Sequence, residues 1–351
     1  KKMGIKNLNK FLRDKFPEVF QQIHLSMYAY KKIAIDISLY LCKFKAVCGE
    51  RWITAFLNLI ISLRRNEIHC VFIFDGKAPP EKDLERAKRK DGKEKLEMGV
   101  YKLEEAIDEY HKTGIISNIL KDLWSKRQHP KSLLGNDKID IEWIIDKIKQ
   151  KSNQIIDISE NDIVNVKLLF DIMNVPYYTA TGEAEKLCAK LCRNDLVDAV
   201  LSEDTDLIAY QTPHFLSKID TRDDTCMVID YDKVLECLDI NSEQMIDFCI
   251  MCGTDYNDNI FKVGVHTSYK HIKLHGNIDN IGKNTQLDIT ILKHIKGREL
   301  FTEWDIDTIT YIPYCGMPDM IALKTFISEN NINTNIDKFI NVFESKIIIE
   351  E

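Results

Sequence analysis

No run of 18 apolar residues occurs in the 351-residue chain, so the sequence offers no segment that reads as a membrane-spanning helix. The opening residues KKMGIKNLNKFL lack the hydrophobic stretch and small-residue cleavage site of a secretory signal, and the expectation is a soluble, intracellular protein with no membrane partner. Internal repeats and low-complexity tracts are also missing, which excludes repeat arrays and linker-like chains. Positive charge is in short supply. With 48 Lys and Arg against 55 Asp and Glu the formal net charge is -7, which argues against an overall basic nucleic-acid binder. Cysteine is plentiful, at ten, but lacks order: the thiols sit in apolar contexts such as LYLCKF, KLCAKLC and DFCIMCG, the pattern of reduced, buried groups rather than a disulfide framework. Cys249 and Cys252 are spaced like a zinc pair without a second such pair, and His271 and His275 are four apart without an HExxH context. Helix packing for the cysteines and exposed helix positions for the histidines are the plainer readings.

An apolar fraction of 44% is ample for a core of one large domain or two. Strand-like runs at KKIAID (31–36), HCVFIFD (69–75), VPYYTAT (175–181) and DAVLSED (198–204) alternate with segments of helical period, among them 6–15, 39–47, 52–65, 160–173, 183–194 and 242–252. Such alternation predicts an α/β fold with a largely parallel central sheet flanked by helices. The charged stretch from about 81 to 150 has helical patterning and no strand, like an insertion. After 240 the chain reads as helical throughout, with GTDYNDNIFKVGV interrupting it.

Acids gather where these strands end. IAID closes on Asp36, FIFD on Asp75, and LSEDTD packs Glu203, Asp204 and Asp206 behind an apolar run; TGEAEKLC adds Glu183 and Glu185 in a first helical turn, where the dipole favours negative charge. Each acid alone is ordinary, since Asp at a strand end usually caps a helix or makes a turn. Recurrence on strand after strand is not explained by capping. In an open α/β sheet ligands lie outside the carboxyl ends of the strands, so these groups could share one crevice. Hard divalent cations take oxygen ligands, and a pair of them about 4 Å apart can hold both the attacking and leaving oxygens of a phosphoryl displacement. FCIMCGTDYND supplies a further acid, Asp255. Beyond it, KVGVHTSYKHIKLHG places Gly264 between two periodic segments, as in a helix-hairpin-helix able to aim backbone N–H groups at phosphate. Local basic order is found in EKDLERAKRKDGKEK (81–95).

In their order along the chain, MGIKNLNKFL, KKIAIDIS, VFIFDGKAPPEKDLERAKR, TGEAEKLCAKL, LSEDTDLIAY and FCIMCGTDYNDNIFKVGV resemble the flap endonuclease and XPG class of structure-specific 5′ nucleases, over most of residues 3 to 345. The resemblance implies a PIN-like 5′ nuclease fold with a helical arch and a C-terminal helix-hairpin-helix region. It divides the chain into 1–90 and 161–260 as halves of the nuclease core, 91–160 as an enlarged arch, and 261–351 as hairpin and closing helices. It makes Asp36, Asp75, Glu183, Glu185, Asp204, Asp206 and Asp255 metal-binding carboxylates for two Mg²⁺ ions, with Mn²⁺ able to substitute. Lys82 and Arg89 become the basic pair over the scissile phosphate, and the catalytic set is completed by Asp36, Asp75, Glu183 and Asp204. Gly4 leads the amino end to the site, and Lys88, Lys90, Lys262, Gly264 and Lys270 contact DNA. The implied activity is endonuclease and 5′–3′ exonuclease cleavage of branched or flap DNA in replication, repair or recombination, by a monomer in the nucleus or at another site of DNA replication. Abundant Ile, Lys and Asn suit an AT-rich genome such as that of a large DNA virus.

Departures accompany the likeness. Two lysines precede Met3, the span from Asp75 to Glu183 is longer than in the compact members, Lys262-Val263-Gly264 stands where the family commonly has glycine, hydrophobic, glycine, and no sliding-clamp motif is seen. Two other readings stay open at this level. One is a catalytically silent DNA-binding scaffold on the same fold. The other is an aspartate-nucleophile phosphotransferase, which would want a second acid at position 38, where Ser38 stands.

Overall fold

The computed structural model describes residues 4–126, 139–304, 308–332 and 340–343. Its centre is a sheet of β1 (Phe20–His24), β2 (Lys32–Asp36), β3 (His69–Phe74), β4 (Tyr177–Thr179), β5 (Ala199–Leu201), β6 (His214–Asp220) and β7 (Thr225–Asp230), in the spatial order β1-β7-β6-β5-β2-β3-β4. The run from β6 to β4 is parallel, whereas β7 lies antiparallel to both β6 and β1. Both faces of the parallel part are buried. In β3, Cys70, Phe72 and Phe74 face one core while Val71 and Ile73 face the other, so a strand covered on both sides reads as an unbroken apolar run.

The helices are α1 (Leu8–Lys15), α2 (Ile37–Cys48), α3 (Trp52–Arg65), α4 (Asp83–Thr113), α5 (Asn118–Ser125), α6 (Ile141–Ser152), α7 (Glu160–Ile172), α8 (Ala184–Arg193), α9 (Asp206–Ala209), α10 (Tyr231–Leu238), α11 (Ser242–Cys252), α12 (Val265–His275), α13 (Ile278–Asn284), α14 (His294–Thr302) and α15 (Met320–Glu329). One core packs α2, α3, α7 and α15 on the sheet, with the rings of Phe72 and Phe170 stacked 4.1 Å apart; the other packs α1, α8 and α10 to α14 on the opposite face. The stretch 37–65 is apolar and long enough to cross a membrane by composition, but it is two helices broken at Gly49, where φ is +54, and its apolar side chains face the sheet. Cys249 and Cys252 are buried, unpaired packing residues on α11. His271 and His275 are half-buried rather than exposed, because their rings stack on each other at 5.7 Å.

Above the sheet, α4, α5 and α6 form a helical layer with an apolar centre of its own: Val100, Leu103, Ala106 and Ile107 from α4 meet Leu120 and Ile144 with Ile148. The 31 residues of α4 extend about 46 Å. Pro80 one turn before it starts the chain in a helical φ, and Gly114, at φ +70, stops it with its N–H on Tyr110 C=O.

Candidate active site

Every acid expected at the site projects from the same rim of the sheet. Asp36 is the last residue of β2 and caps α2, its Oδ1 accepting the Ser38 N–H at 3.0 Å. Asp75 follows β3, and its Oδ1 accepts the Ala184 N–H at 2.9 Å, which ties it to the first turn of α8. That approach depends on Gly76, since a Cβ there would lie 2.0 Å from the Ala180 carbonyl. Glu183 and Glu185 flank the start of α8. Asp204 lies in the turn after β5 and accepts the Asp206 N–H at 2.9 Å, while Asp255 follows the end of α11.

Carboxylate oxygens of Glu185, Asp204 and Asp206 fall within 4.8 Å of one another. Burial, then Asp75 and Asp204, push the Asp36 carboxyl up to about 8. Burial and Asp204 raise Glu185 well above the carboxylate range, burial and Asp204 do the same to Asp206, and burial raises Asp204. These mutual influences link all the expected acids into one field. Asp206 is the extreme case: it is wholly buried and neither of its side-chain oxygens has a hydrogen-bond partner. A bare buried carboxylate is costly unless it is protonated or meets a cation. An all-oxygen donor set of this kind, with no imidazole or thiolate in it, fits a hard divalent metal.

Two cations already lean in from the base of α4. Burial works to lower the pKa of Lys82, but Glu185, Glu183, Asp206 and Asp255 outweigh it and hold the ammonium charged; its Nζ pairs with Glu183 and lies 3.4 Å from Asp255 Oδ2. Arg89 Nη2 meets the same Asp255 oxygen at 2.5 Å and its Nε reaches Glu85 at 3.2 Å. Gly4 packs against the acid turn at φ +75, where an added Cβ would sit 2.1 Å from Asp204 Oδ1 and 2.7 Å from the Thr205 amide nitrogen. Only glycine allows both that φ and that approach.

Other expectations are redistributed. Glu203, in the same acidic run as Asp204, turns away to Lys43 at 2.7 Å and the Lys218 N–H at 3.1 Å. Lys88 binds Asp258 at 2.9 Å, an acid also held by Lys6 at 3.0 Å, and Lys90 lies 4.0 Å from Glu94 on an exposed face. Gly264 caps α12 in extended backbone with open space around its Cα, Lys262 two residues before it takes φ +62, and Lys270 is exposed on α12. The sequence reading missed Tyr256 and Tyr210. Their buried hydroxyls lie 2.5 Å apart, and Tyr256 donates to Glu183 Oε2, so one carboxylate oxygen faces tyrosine while the other faces Lys82. The pattern D-Y after the helix end was the available signal for Tyr256; nothing local marks Tyr210.

Residues 3–96 match the family model for the XPG N-terminal domain and residues 174–255 that for the XPG I-region. The "Probable RAD2-like endonuclease 369L" of Invertebrate iridescent virus 6 is 33% identical across 97% of this chain and 92% of its own, and "Flap endonuclease 1-A" of Sorghum bicolor is 31% identical across 94% and 83%. Among solved structures, the catalytic core of Rad2 in complex with DNA substrate shares the fold at a TM-score of 0.65, with 19% identity over 97% of this chain and all of that one. Flap endonuclease-1 from Methanococcus jannaschii does so at 0.60, with 22% identity over 93% and 94%. With both terminal and internal XPG regions matched, and with homology running almost end to end, the chain belongs to the XPG family of RAD2-like and flap endonucleases.

Proposed function

We propose that this protein hydrolyses DNA phosphodiesters where single strand meets duplex, in replication, repair or recombination, with Mg²⁺ as its metal and Mn²⁺ as a substitute. The observation that carries the reading is the buried, unpartnered carboxylate of Asp206 inside a cluster of like charges. Asp36, Asp75, Glu183 and Glu185 would hold one ion and Asp204, Asp206 and Asp255 the other. When bound, such a pair stabilises charge on the attacking and leaving oxygens of the phosphate. Water oxygen bonds to phosphorus as the P–O3′ bond breaks, leaving a 5′ phosphate and a 3′ hydroxyl.

The protein's own groups set the geometry. Lys82, mostly covered and held charged, and Arg89, half-exposed at the site's edge, put two donors where negative charge grows on the phosphate. Tyr256 fixes the orientation of Glu183, and Gly76 and Gly4 bring the turns into contact. The net charge of -7 is no obstacle, because it is no larger than the charge of the seven site acids, which cations would neutralise.

Cleavage of labelled 5′-flap DNA with Mg²⁺, beside a small phosphoester, tests the reading: the flap alone should be cut. Asp204→Ala should lower the rate by at least about a thousandfold while leaving most DNA binding in EDTA, in line with the loss of a charge-stabilising group. A variant that cuts at the normal rate removes the site assignment.

A further inference from the structure

At the end of β3 opposite the acids, a guanidinium is buried with no carboxylate to meet it. Arg64, in the last turn of α3, is 5% exposed. Its Nη1 lies 2.8 Å from His69 Nδ1, its Nη2 donates to the Cys315 carbonyl at 3.4 Å, and its Nε has no partner. Among the described residues neither Asp nor Glu pairs with it. Arginine keeps its proton, so this buried charge calls for an anion nearby. His69 does not supply one: its Nδ1 also accepts the Cys315 N–H at 3.1 Å, which places the ring's proton on Nε2 and leaves the imidazole neutral. The group that remains is sulfur.

Cys315 and Cys70 meet in the core beneath α3. The Cys70 N–H donates to Cys315 Sγ at 3.3 Å, and the same sulfur is 3.2 Å from the Cys70 carbonyl. A sulfur so placed is served in either state: as a thiol it gives its proton to that carbonyl, and as a thiolate it takes the N–H. The surrounding charge decides between them. A side-chain hydrogen bond to Cys315, then burial, holds Cys70 well above the thiol range. Burial works to raise Cys315 too, but the bonds to Cys70 and His69 and the charge of Arg64 outweigh it and bring it down to about 5. The pair therefore keeps its proton on Cys70 and its negative charge on Cys315, unlike Cys188, Cys249 and Cys252, which burial raises. Electropositive surroundings of this kind mark a reactive sulfur. Cys315 is 6% exposed against 1% for Cys70 and lies on a segment without helix or strand, so solvent reaches it first.

We propose that Cys315 and Cys70 are a peroxide-reactive dithiol, which oxidation closes into a disulfide tying the segment before α15 to the start of β3. The Cys315 sulfur attacks one oxygen of hydrogen peroxide, the O–O bond breaks, and the departing hydroxide takes up the proton that Cys315 had released. The Cys70 sulfur then attacks the resulting sulfenic sulfur, and the sulfenic oxygen leaves as water with the Cys70 proton. Two thiols and one peroxide become one disulfide and two waters, the sulfurs giving up the two electrons that the peroxide gains. The bond joins positions 245 apart in sequence, so it restricts the unfolded chain and stabilises the folded one. Cys70 is five strand positions from Asp75, about 17 Å along β3, so the dithiol does not touch the carboxylates, and the inference stands apart from the nuclease reading.

The test gives reduced protein one equivalent of hydrogen peroxide in EDTA, blocks the remaining thiols under denaturing conditions and digests with trypsin. Peptides 66–77 and 299–324, each holding one cysteine, should appear joined and lighter than their sum by two hydrogens, at least about tenfold faster than any other cysteine is oxidised. The melting temperature should rise by several degrees and return with dithiothreitol. Cys315→Ser should show neither change, and Cys70→Ser should leave a sulfenic acid on Cys315 that dimedone captures. Absence of the joined peptides, either of them joined to a different cysteine, or a sulfenic acid captured elsewhere in Cys70→Ser overturns the proposal, whether or not the protein cuts DNA. The wild-type digest decides by itself, so a variant that fails to fold leaves the test standing.

Discussion

Asp206 and Glu203 stand three positions apart in one acidic run, and the backbone sends them to different surroundings. Glu203 finds Lys43 and a backbone N–H, while Asp206 has no hydrogen-bond partner and sits among other acids with only the Lys82 charge to offset them. Composition made the negative patch legible, but which acids face inward depends on the turn after β5, where the Asp206 N–H folds back onto Asp204. Asp206→Asn gives a direct test. Replacing a carboxyl that must either hold a proton or bury a charge should raise the melting temperature in EDTA above pH 5 by a few degrees, about 1–3 kcal/mol, and abolish cleavage. A variant destabilised in EDTA would show that Asp206 is satisfied in the folded protein. Lys262 shows the converse situation at the hairpin. A lysine accepts the left-handed φ that the family pattern gives to glycine, at a cost of about 1 kcal/mol. The departure was visible in the sequence, whereas the exposed ring of Phe261 beside it was not, because exposure is decided by what Ile260 and Val263 bury.

Among the elements, the strands β2, β3, β4 and β5 and the helices expected at 52–65, 160–173 and 242–252 were legible to within three residues at either end. The strands β1, β7 and β6 at one end of the sheet were not. FQQIH alternates weakly, and HFLSKID pairs through an irregular register between Ser217 and Asp220, so neither has the apolar continuity of a doubly covered strand. The helical layer was expected from its charge pattern, yet its separate core was not. That core predicts partial independence. Leu120→Ala, a fully buried position, should cost about 2–5 kcal/mol within α4 to α6. Hydrogen exchange should then accelerate through α4 to α6 while β2 and β3 keep their protection, and uniform loss across the sheet would refute the separation. Gly92 and Gly99, seven residues apart on α4 with open space beside each, are weak points of the same element.

For the whole molecule, acids spread from Asp36 to Asp255 meet on one rim, which local patterning suggested and only the sheet order could establish. Their charge has a cost that depends on pH. Asp36, raised to about 8, and Glu185, Asp204 and Asp206, also raised, hold protons in the folded state that the unfolded chain has released from about pH 4 upward. Folded protein then binds more protons than unfolded, so the contribution of these groups is full below about pH 4 and is lost as pH rises toward 8. Melting curves in EDTA should fall between pH 5 and 8, and the gap between Mg²⁺ and EDTA curves should widen over that range, since a metal takes the deprotonated acids. Parallel curves would contradict this.

The hold of Asp255 on Arg89 and Lys82 has one more consequence. That one carboxylate oxygen faces both cations at the root of α4, and a metal ion arriving at it must compete with them. Once released, the guanidinium is free to take a phosphate instead, so metal and nucleic acid should each tighten the binding of the other. By thermodynamic reciprocity the two enhancements are equal, and the enzyme assembles its full affinity only when both are present.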